Sequence, residues 1–97
     1  MSFNTRVWEA CKRIPKGKVS TYKEIAKALD TRAYRAVGNA LNKNPYAPIV
    51  PCHRVINSDG GIGGFARGKD AKITLLNKEG VEVVDDKVDL KKFLFRF

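Results

Sequence analysis

The sequence has 97 residues, with 19 Lys plus Arg against 10 Asp plus Glu, a formal charge of +9 and a pI near 9.8. This length fits one small domain with a modest core, and 43% apolar residues is too hydrophobic for a disordered basic tail. No run approaches the roughly 18 continuous apolar residues of a membrane span, and the opening MSFNTRVWEA carries charge where a signal peptide needs an apolar stretch, so a soluble, cytoplasmic chain is expected.

A first helix is expected from about Thr5 to Ile14, where Val7, Trp8, Cys11 and Ile14 recur at helical spacing until Pro15-Lys16-Gly17 stops it. Cys11 then lies on the buried stripe as a small core hydrophobe. Thr21 and Glu24 make a capping-box pattern that opens a second helix, with Ile25, Ala28 and Leu29 inward. Asp30-Thr31 is expected to break that helix and cap a third, which runs to about Lys43 with Ala33, Val37, Ala40 and Leu41 inward. Arg35, Gly38, Asn39 and Asn42 share its opposite face with little bulk between them. Two short helices around a tight break, the second with a small-residue polar face, read as a helix-turn-helix.

Asn44-Pro45 ends the third helix, and Pro48-Ile49-Val50-Pro51 is too proline-bound for a central strand, so Cys52 is expected on a constrained, extended approach. Asn57 to Gly61 reads as a turn and Gly63-Gly64-Phe65 as a loop. Asp70 is expected to cap a helix reaching Lys78, with Gly80 past its end. Val81 to Val88 suits a short hairpin around Asp85-Asp86, and Leu90 to Phe97, with Phe93, Phe95 and Phe97 alternating, suits either a strand or a docked tail.

Charge is uneven along the chain. From Lys12 to Arg54 ten basic residues (Lys12, Arg13, Lys16, Lys18, Lys23, Lys27, Arg32, Arg35, Lys43, Arg54) face two acids (Glu24, Asp30), whereas residues 81–97 balance at four against four. A confined basic excess is what a polyanion-binding face requires, since each cation meeting a phosphate releases condensed counterion; a merely soluble basic surface is the alternative.

The densest chemistry is Pro51-Cys52-His53-Arg54-Val55, which places a thiol, the chain's one imidazole and a guanidinium side by side. An adjacent base and positive charge lower a thiol from its ordinary pKa of about 8.5 and make a nucleophile available near neutrality. An inert buried Cys, half a zinc site and a chance pair compete with this reading. Two ligands do not hold structural zinc, and burying Cys52 among polar neighbours is costly. Cys11 and Cys52 are too few for a disulfide framework, so free thiols and no metal site are expected. Along an extended backbone neighbouring side chains point apart, which leaves His53 to act on Cys52 through a water.

The segments Ser20-Thr21-Tyr22, Arg35-Ala36-Val37-Gly38-Asn39-Ala40, Asn44-Pro45, Pro48 to Val55, Gly63-Gly64-Phe65 and Leu75 to Gly80, in this order and spacing, resemble the C-terminal, active domain of the O6-alkylguanine-DNA alkyltransferases, also called methylated-DNA-protein-cysteine methyltransferases. The resemblance covers about Phe3 to Gly80. It implies a mostly α, winged helix-turn-helix-like DNA-binding domain with short β segments, taking residues 1–97 as one domain with a tail, 81–97, of unassigned role. It further implies that the Cys52 thiolate displaces the alkyl group from guanine O6 in one irreversible step that consumes the protein and needs no cofactor. His53 would deprotonate Cys52, Glu79 would orient and charge-stabilise His53, and Asn44 would hold the network. The lesion would be flipped out of the duplex. Arg35 would fill the vacated stack, and Tyr22 would crowd the 3′ phosphate and donate a proton to the leaving base. Gly38 and Ala36 would let the helix approach the minor groove, and Lys23, Thr31 and Ser58 would touch the backbone. Tyr22, Leu41, Val55 and Phe65 would line the pocket, with amides near Ala66 facing O6, and Arg54 would brace the loop.

The implied partner is double-stranded DNA containing O6-alkylguanine, bound by a monomer with no membrane involvement and nucleoid-associated while on DNA. This sequence has one residue fewer near Thr31 and a less polar Gly64-Phe65-Ala66 loop than the Asn, Tyr and Ser often found there. Longer members carry an N-terminal domain not seen here, and the match leaves Leu90 to Phe97 unexplained. Alkyltransferase-like proteins, of similar length, bind alkylated bases without transfer and typically lack the reactive Cys, which Cys52 supplies here. A helix-turn-helix regulator leaves Pro51 to Val55 without a role, and a cysteine hydrolase would need an oxyanion site that the sequence does not indicate.

Overall fold

In the computed structural model, which describes residues 2–47, 49–65 and 67–97, Ser2 accepts the Thr5 amide and starts α1, Phe3–Lys12. The helix therefore begins two residues ahead of Thr5, because a serine hydroxyl satisfies an amide that the first turn leaves free. Val7, Ala10 and Cys11 face inward, and Ile14, just past the end, is fully buried. β1 (Ser20–Thr21) runs directly into α2 (Tyr22–Ala28), and the Thr21 hydroxyl caps α2 by accepting the Glu24 amide at 3.0 Å. The inward residues of α2 are Ile25 and Ala26; Ala28, expected inside, is exposed.

Asp30 performs the break between the two helices by taking φ +56°, in the left-handed region, while the Asp30 amide reaches the Lys27 carbonyl and the Thr31 amide the Ala26 carbonyl. This is a Schellman closure made by an aspartate where glycine is usual. α3 (Tyr34–Asn42) follows with Val37, Ala40 and Leu41 buried. Its N-cap position is Ala33, with no side-chain cap; the Thr31 hydroxyl instead accepts the Ala33 amide at 3.2 Å in a local turn, so Thr31 does not cap α3 as expected. Trp8 Nε1 donates to the Ala40 carbonyl at 2.8 Å and locks α1 across α3.

Cys52–Arg54 forms a 3-10 turn, tighter than the extended approach expected, and β2 (Val55–Ile56) leaves it to pair in parallel with β1, Ser20 opposite Val55 and Thr21 opposite Ile56. Successive strand residues point to opposite faces, and the strand pair divides the interior accordingly. Val55 joins the core made by α1, α2 and α3, while Ile56 joins a second core with Val19, Ile62, Leu76, Val81, Val88 and Phe93.

α4 (Lys69–Lys78) starts from Gly68 without a side-chain cap, and Asp70, expected as the cap, sits in its first turn, where a carboxylate favours the helix dipole. It ends in a second Schellman closure, with the Val81 amide on the Leu76 carbonyl, the Gly80 amide on the Asn77 carbonyl and Gly80 at φ +88°. The hairpin around Asp85-Asp86 forms, both residues at positive φ, with Val84 and Lys87 exchanging backbone hydrogen bonds and Lys87 bridging Gly61. Leu90 to Phe97 resolves into α5 (Leu90–Phe93) and an extended docked tail. The Val19 amide donates to the Phe93 carbonyl, the Phe95 amide to the Val19 carbonyl, and the Ser20 hydroxyl to the Phe95 carbonyl. Phe95 and Phe97 meet edge to face and pack against the first core. Among the described residues no helix is long and apolar enough to cross a membrane.

Two backbone sites should respond oppositely to substitution. Asp30→Gly relieves a left-handed residue bearing a Cβ and should raise stability by about 1 kcal/mol. Gly60→Ala combines φ +90° with a Cβ only 2.8 Å from the Val88 carbonyl oxygen, so urea denaturation should show a loss of more than about 2 kcal/mol. A neutral Gly60→Ala would mean that the turn does not seat on the C-terminal segment.

Candidate active site and DNA-binding face

Cys52 is free and half-buried at the head of its 3-10 turn, and the next two side chains both turn to Glu79. Arg54 donates to the carboxylate twice, Nε to Oε1 at 2.9 Å and Nη2 to Oε2 at 2.6 Å, and its Nη1 reaches the Ile14 carbonyl at 2.9 Å. His53 Nε2 lies 3.1 Å from Oε2. An ionised carboxylate only accepts, so neutral His53 carries its proton on Nε2 and leaves the lone pair on Nδ1. Glu79 is the C-cap residue of α4, placed by the Schellman closure after it. Asn44 spans the loop before Cys52, with Nδ2 donating to the Val50 carbonyl and Oδ1 accepting the Tyr46 amide, both at 2.9 Å. Its side chain bonds to the loop backbone and to neither Cys52 nor His53, so it shapes their approach.

Burial lowers the His53 imidazole below its ordinary range; the Glu79 hydrogen bond and charge pull upward without overcoming it, and Arg54 and Lys72 push it further down. Burial also acts on Glu79, pushing its carboxyl up, but the hydrogen bonds and charges of Arg54 and His53 outweigh that and hold it below its ordinary value. Burial raises the Tyr22 phenol, with Cys52 and then Cys11 adding to the effect, so Tyr22 stands beside Cys52 as a firmly protonated hydroxyl.

Lys72 escaped the sequence reading. Its side chain is fully buried, Nζ donates to the Gly64 carbonyl at 3.1 Å and lies 6.0 Å from the Phe65 ring centre. Burial pushes its pKa down to about 8, and the neighbouring Cys52 sulfur opposes that shift. Lys72, Leu76 and Glu79 fall at i, i+4 and i+7, one helix stripe. The signal was therefore present: a stripe carrying the expected partner of His53 and a buried leucine also carried a lysine.

Of the pocket residues, Leu41 and Val55 belong to the first core and Tyr22 packs against it with Cys52, while Phe65 stands over Lys72, whose charge feels the Cys52 sulfur; Ala66 lies outside the described residues. On the helix-turn-helix face, Arg35 is exposed in the first turn of α3, and Gly38 one turn on has open space where a Cβ would stand. Nothing within the fold requires that glycine. Lys23, Ser58 and Tyr22 line one open groove with Tyr34, Asn57 and Asp59, and Thr31 lies on an adjoining one with Lys27, Arg32 and Tyr34.

Because His53 and Glu79 both titrate below their ordinary 6.5 and 4.5 in the folded chain, the unfolded chain takes up protons first as pH falls. The contribution of these two groups to stability is thus fully present above about pH 6.5, declines as pH drops through the depressed His53 value, and declines again below 4.5 as Glu79 protonates. Glu79→Gln should abolish the second decline and move the His53 ring titration, followed by NMR, to still lower pH. An upward movement would contradict the partnership.

The family profile described as 6-O-methylguanine DNA methyltransferase, DNA binding domain, matches residues 2–81. A Methanosarcina barkeri protein named methylated-DNA–protein-cysteine methyltransferase is 55% identical over 78 residues, covering 79% of this chain and 49% of its own length; the chain spans about half the length of the curated relatives it matches. Among solved structures, S. pombe Atl1 in complex with damaged DNA containing O6-carboxymethylguanine superposes with a TM-score of 0.88 at 36% identity, over 98% of this chain and 95% of that one. Mycobacterium tuberculosis OGT in complex with DNA gives 0.79 at 45% identity, over 81% and 50%. The chain belongs to the family of 6-O-methylguanine DNA methyltransferase DNA-binding domains.

Proposed function

We propose that this chain repairs O6-alkylguanine in duplex DNA by moving the alkyl group, once and irreversibly, onto the Cys52 sulfur. The observation that carries this reading is a free, half-buried thiol heading a turn whose next two residues grip one carboxylate. The activity for which the 52–55% identical relatives are named agrees with it. In the proposed step the S–C bond forms as the C–O6 bond breaks, the bonding pair returns to the guanine ring, and the ring takes a proton from the Tyr22 hydroxyl, which solvent re-protonates as the His53 imidazolium gives up the proton it took from the thiol. His53 Nδ1 receives the thiol proton through one water while Glu79 holds Nε2–H, so imidazolium forms against a carboxylate already in place. The product thioether is not readily reversed. The protein is consumed, and no cofactor enters.

Access to the lesion falls to α3. Arg35 takes the place of the flipped nucleotide, Gly38 and Ala36 let the helix backbone approach the minor groove, and Lys23, Thr31 and Ser58 meet phosphates. Leu41, Val55, Phe65 and the amides near Ala66 receive the base beside Tyr22. The domain works as a monomer inside the cell, on the nucleoid while bound.

A second reading has one observation in its favour: the match to Atl1 runs over nearly the whole of both chains, tail included. On that reading the chain binds the alkylated base and transfers nothing, with Cys52 unused.

Mass spectrometry after incubation with a duplex bearing one O6-methylguanine should show one added methylene on the Cys52 peptide, equimolar with lesion lost. Tight lesion binding without that gain would establish the sensor. Gly38→Ala should leave the fold intact or more stable by up to about 1 kcal/mol while weakening duplex repair. Arg35→Ala should slow duplex repair and spare reaction with free O6-benzylguanine; equal losses would remove Arg35 from the flipping role.

A further inference from the structure

We propose that the C-terminal segment beyond the family-matched residues carries part of the DNA contact. In this reading Lys91 and Arg96 complete, with Lys23 and Lys27 of α2, a cationic groove that takes the sugar-phosphate backbone flanking the lesion. The inference rests on the duplex-DNA reading above and extends it to residues outside 2–81.

The groove is open, about 400 Å³, and these four cations surround it with Ser58 and Glu24. It is continuous with the groove beside Tyr22, since Lys23 and Ser58 line both, and Lys27 carries it on to the groove holding Thr31 and Arg32. The α2 cations thus stand between the helix-turn-helix face and the tail. Among the described residues the ion-pair partner of these cations is Glu24, 3.9 Å from Arg96 Nε with no hydrogen bond between them. A pair that loose contributes little to holding the tail.

The alternation of the tail explains how the cations come to face outward. Phe93, Phe95 and Phe97 turn into the two cores, and on extended backbone the residues between them turn away, which puts Leu94 and Arg96 on the groove. Backbone pairing to Val19 and the Ser20 hydroxyl fixes this register. The even charge balance of residues 81–97 also resolves in space. Its acids, Glu82, Asp85, Asp86 and Asp89, all precede α5, and Asp86 is occupied by Lys69 at 2.8 Å, whereas residues 90–97 hold Lys91, Lys92 and Arg96 and no acid. Fixed, solvated cations in line with a basic groove are the arrangement that displaces counterions from a phosphate strand.

The full chain carrying Lys91→Gln and Arg96→Gln tests this by duplex affinity across a range of KCl concentrations. Both sites are exposed, so the urea midpoint should not move. Affinity should fall roughly three- to tenfold, and the slope of log affinity against log salt should become shallower by about 0.9 for each phosphate no longer neutralised. Glu24→Gln, which removes the groove's one carboxylate, should tighten duplex binding, an effect that a purely structural Arg96–Glu24 pair would not produce. A double variant with the wild-type slope and affinity overturns the proposal alone. A wild-type chain whose DNA binding ignores salt overturns both this and the duplex reading on which it rests.

Discussion

Glu79 is the point on which this small fold turns. Its two oxygens accept two hydrogen bonds from Arg54 and one from His53, and Arg54 spends its remaining reach on the Ile14 carbonyl. One carboxylate therefore joins the end of α1, the Cys52 turn and the end of α4, segments that no regular secondary structure connects. Burying an ion pair is costly unless geometry and hydrogen bonding are nearly complete. Here they are: the guanidinium fork meets the carboxylate with two parallel bonds, and no buried side-chain nitrogen or oxygen among the described residues lacks a partner. The same bonds that offset desolvation also set the tautomer of His53, so the structural and the chemical roles of the network cannot be separated.

The second constraint is the two-residue strand pair. Ser20 opposite Val55 and Thr21 opposite Ile56 tie the N-terminus of α2 to the exit of the Cys52 turn. Thr21 caps α2 and Tyr22 is its first residue, so the phenol and the thiol are held within a few bonds of one ladder. A sheet this short is marginal alone. Cores on both faces stabilise it, and the tail, paired to Val19, closes its outer side. That pairing explains how a segment outside the family match becomes part of the framework of the site.

Much of this was legible in the sequence, because local rules decided it. The Thr21 cap, the polar face of α3, the Asp85-Asp86 turn and the Gly80 ending follow from side-chain chemistry within a few residues. The capping roles assigned to Thr31 and Asp70 failed for a related reason: a hydroxyl or carboxylate near a helix start has several local amides to choose from, and the chain geometry at Ala33 and Gly68 chose otherwise. The stripe that holds Lys72 was legible, but its burial and the docking of the tail depend on partners distant in the sequence. A lysine reads as surface until a loop carbonyl and an aromatic ring from elsewhere enclose it, and three alternating phenylalanines fit a strand or a docked tail equally until Val19 offers them a partner.

The two cysteines show what the fold does to one functional group. Cys11, on the inward stripe of α1, is fully buried, and burial first, then the nearby Cys52 sulfur, push its pKa up to about 12. It remains a thiol at neutral pH and behaves as a small apolar side chain. Cys52 lies close enough to perturb Cys11, Tyr22 and Lys72, yet it is partly open and sits on a turn whose neighbours supply an imidazole and a guanidinium. The proposed transfer is irreversible and so must use the right sulfur. In this fold selection between its two thiols needs no recognition step, since the core that Cys11 helps to build is what keeps Cys11 unreactive.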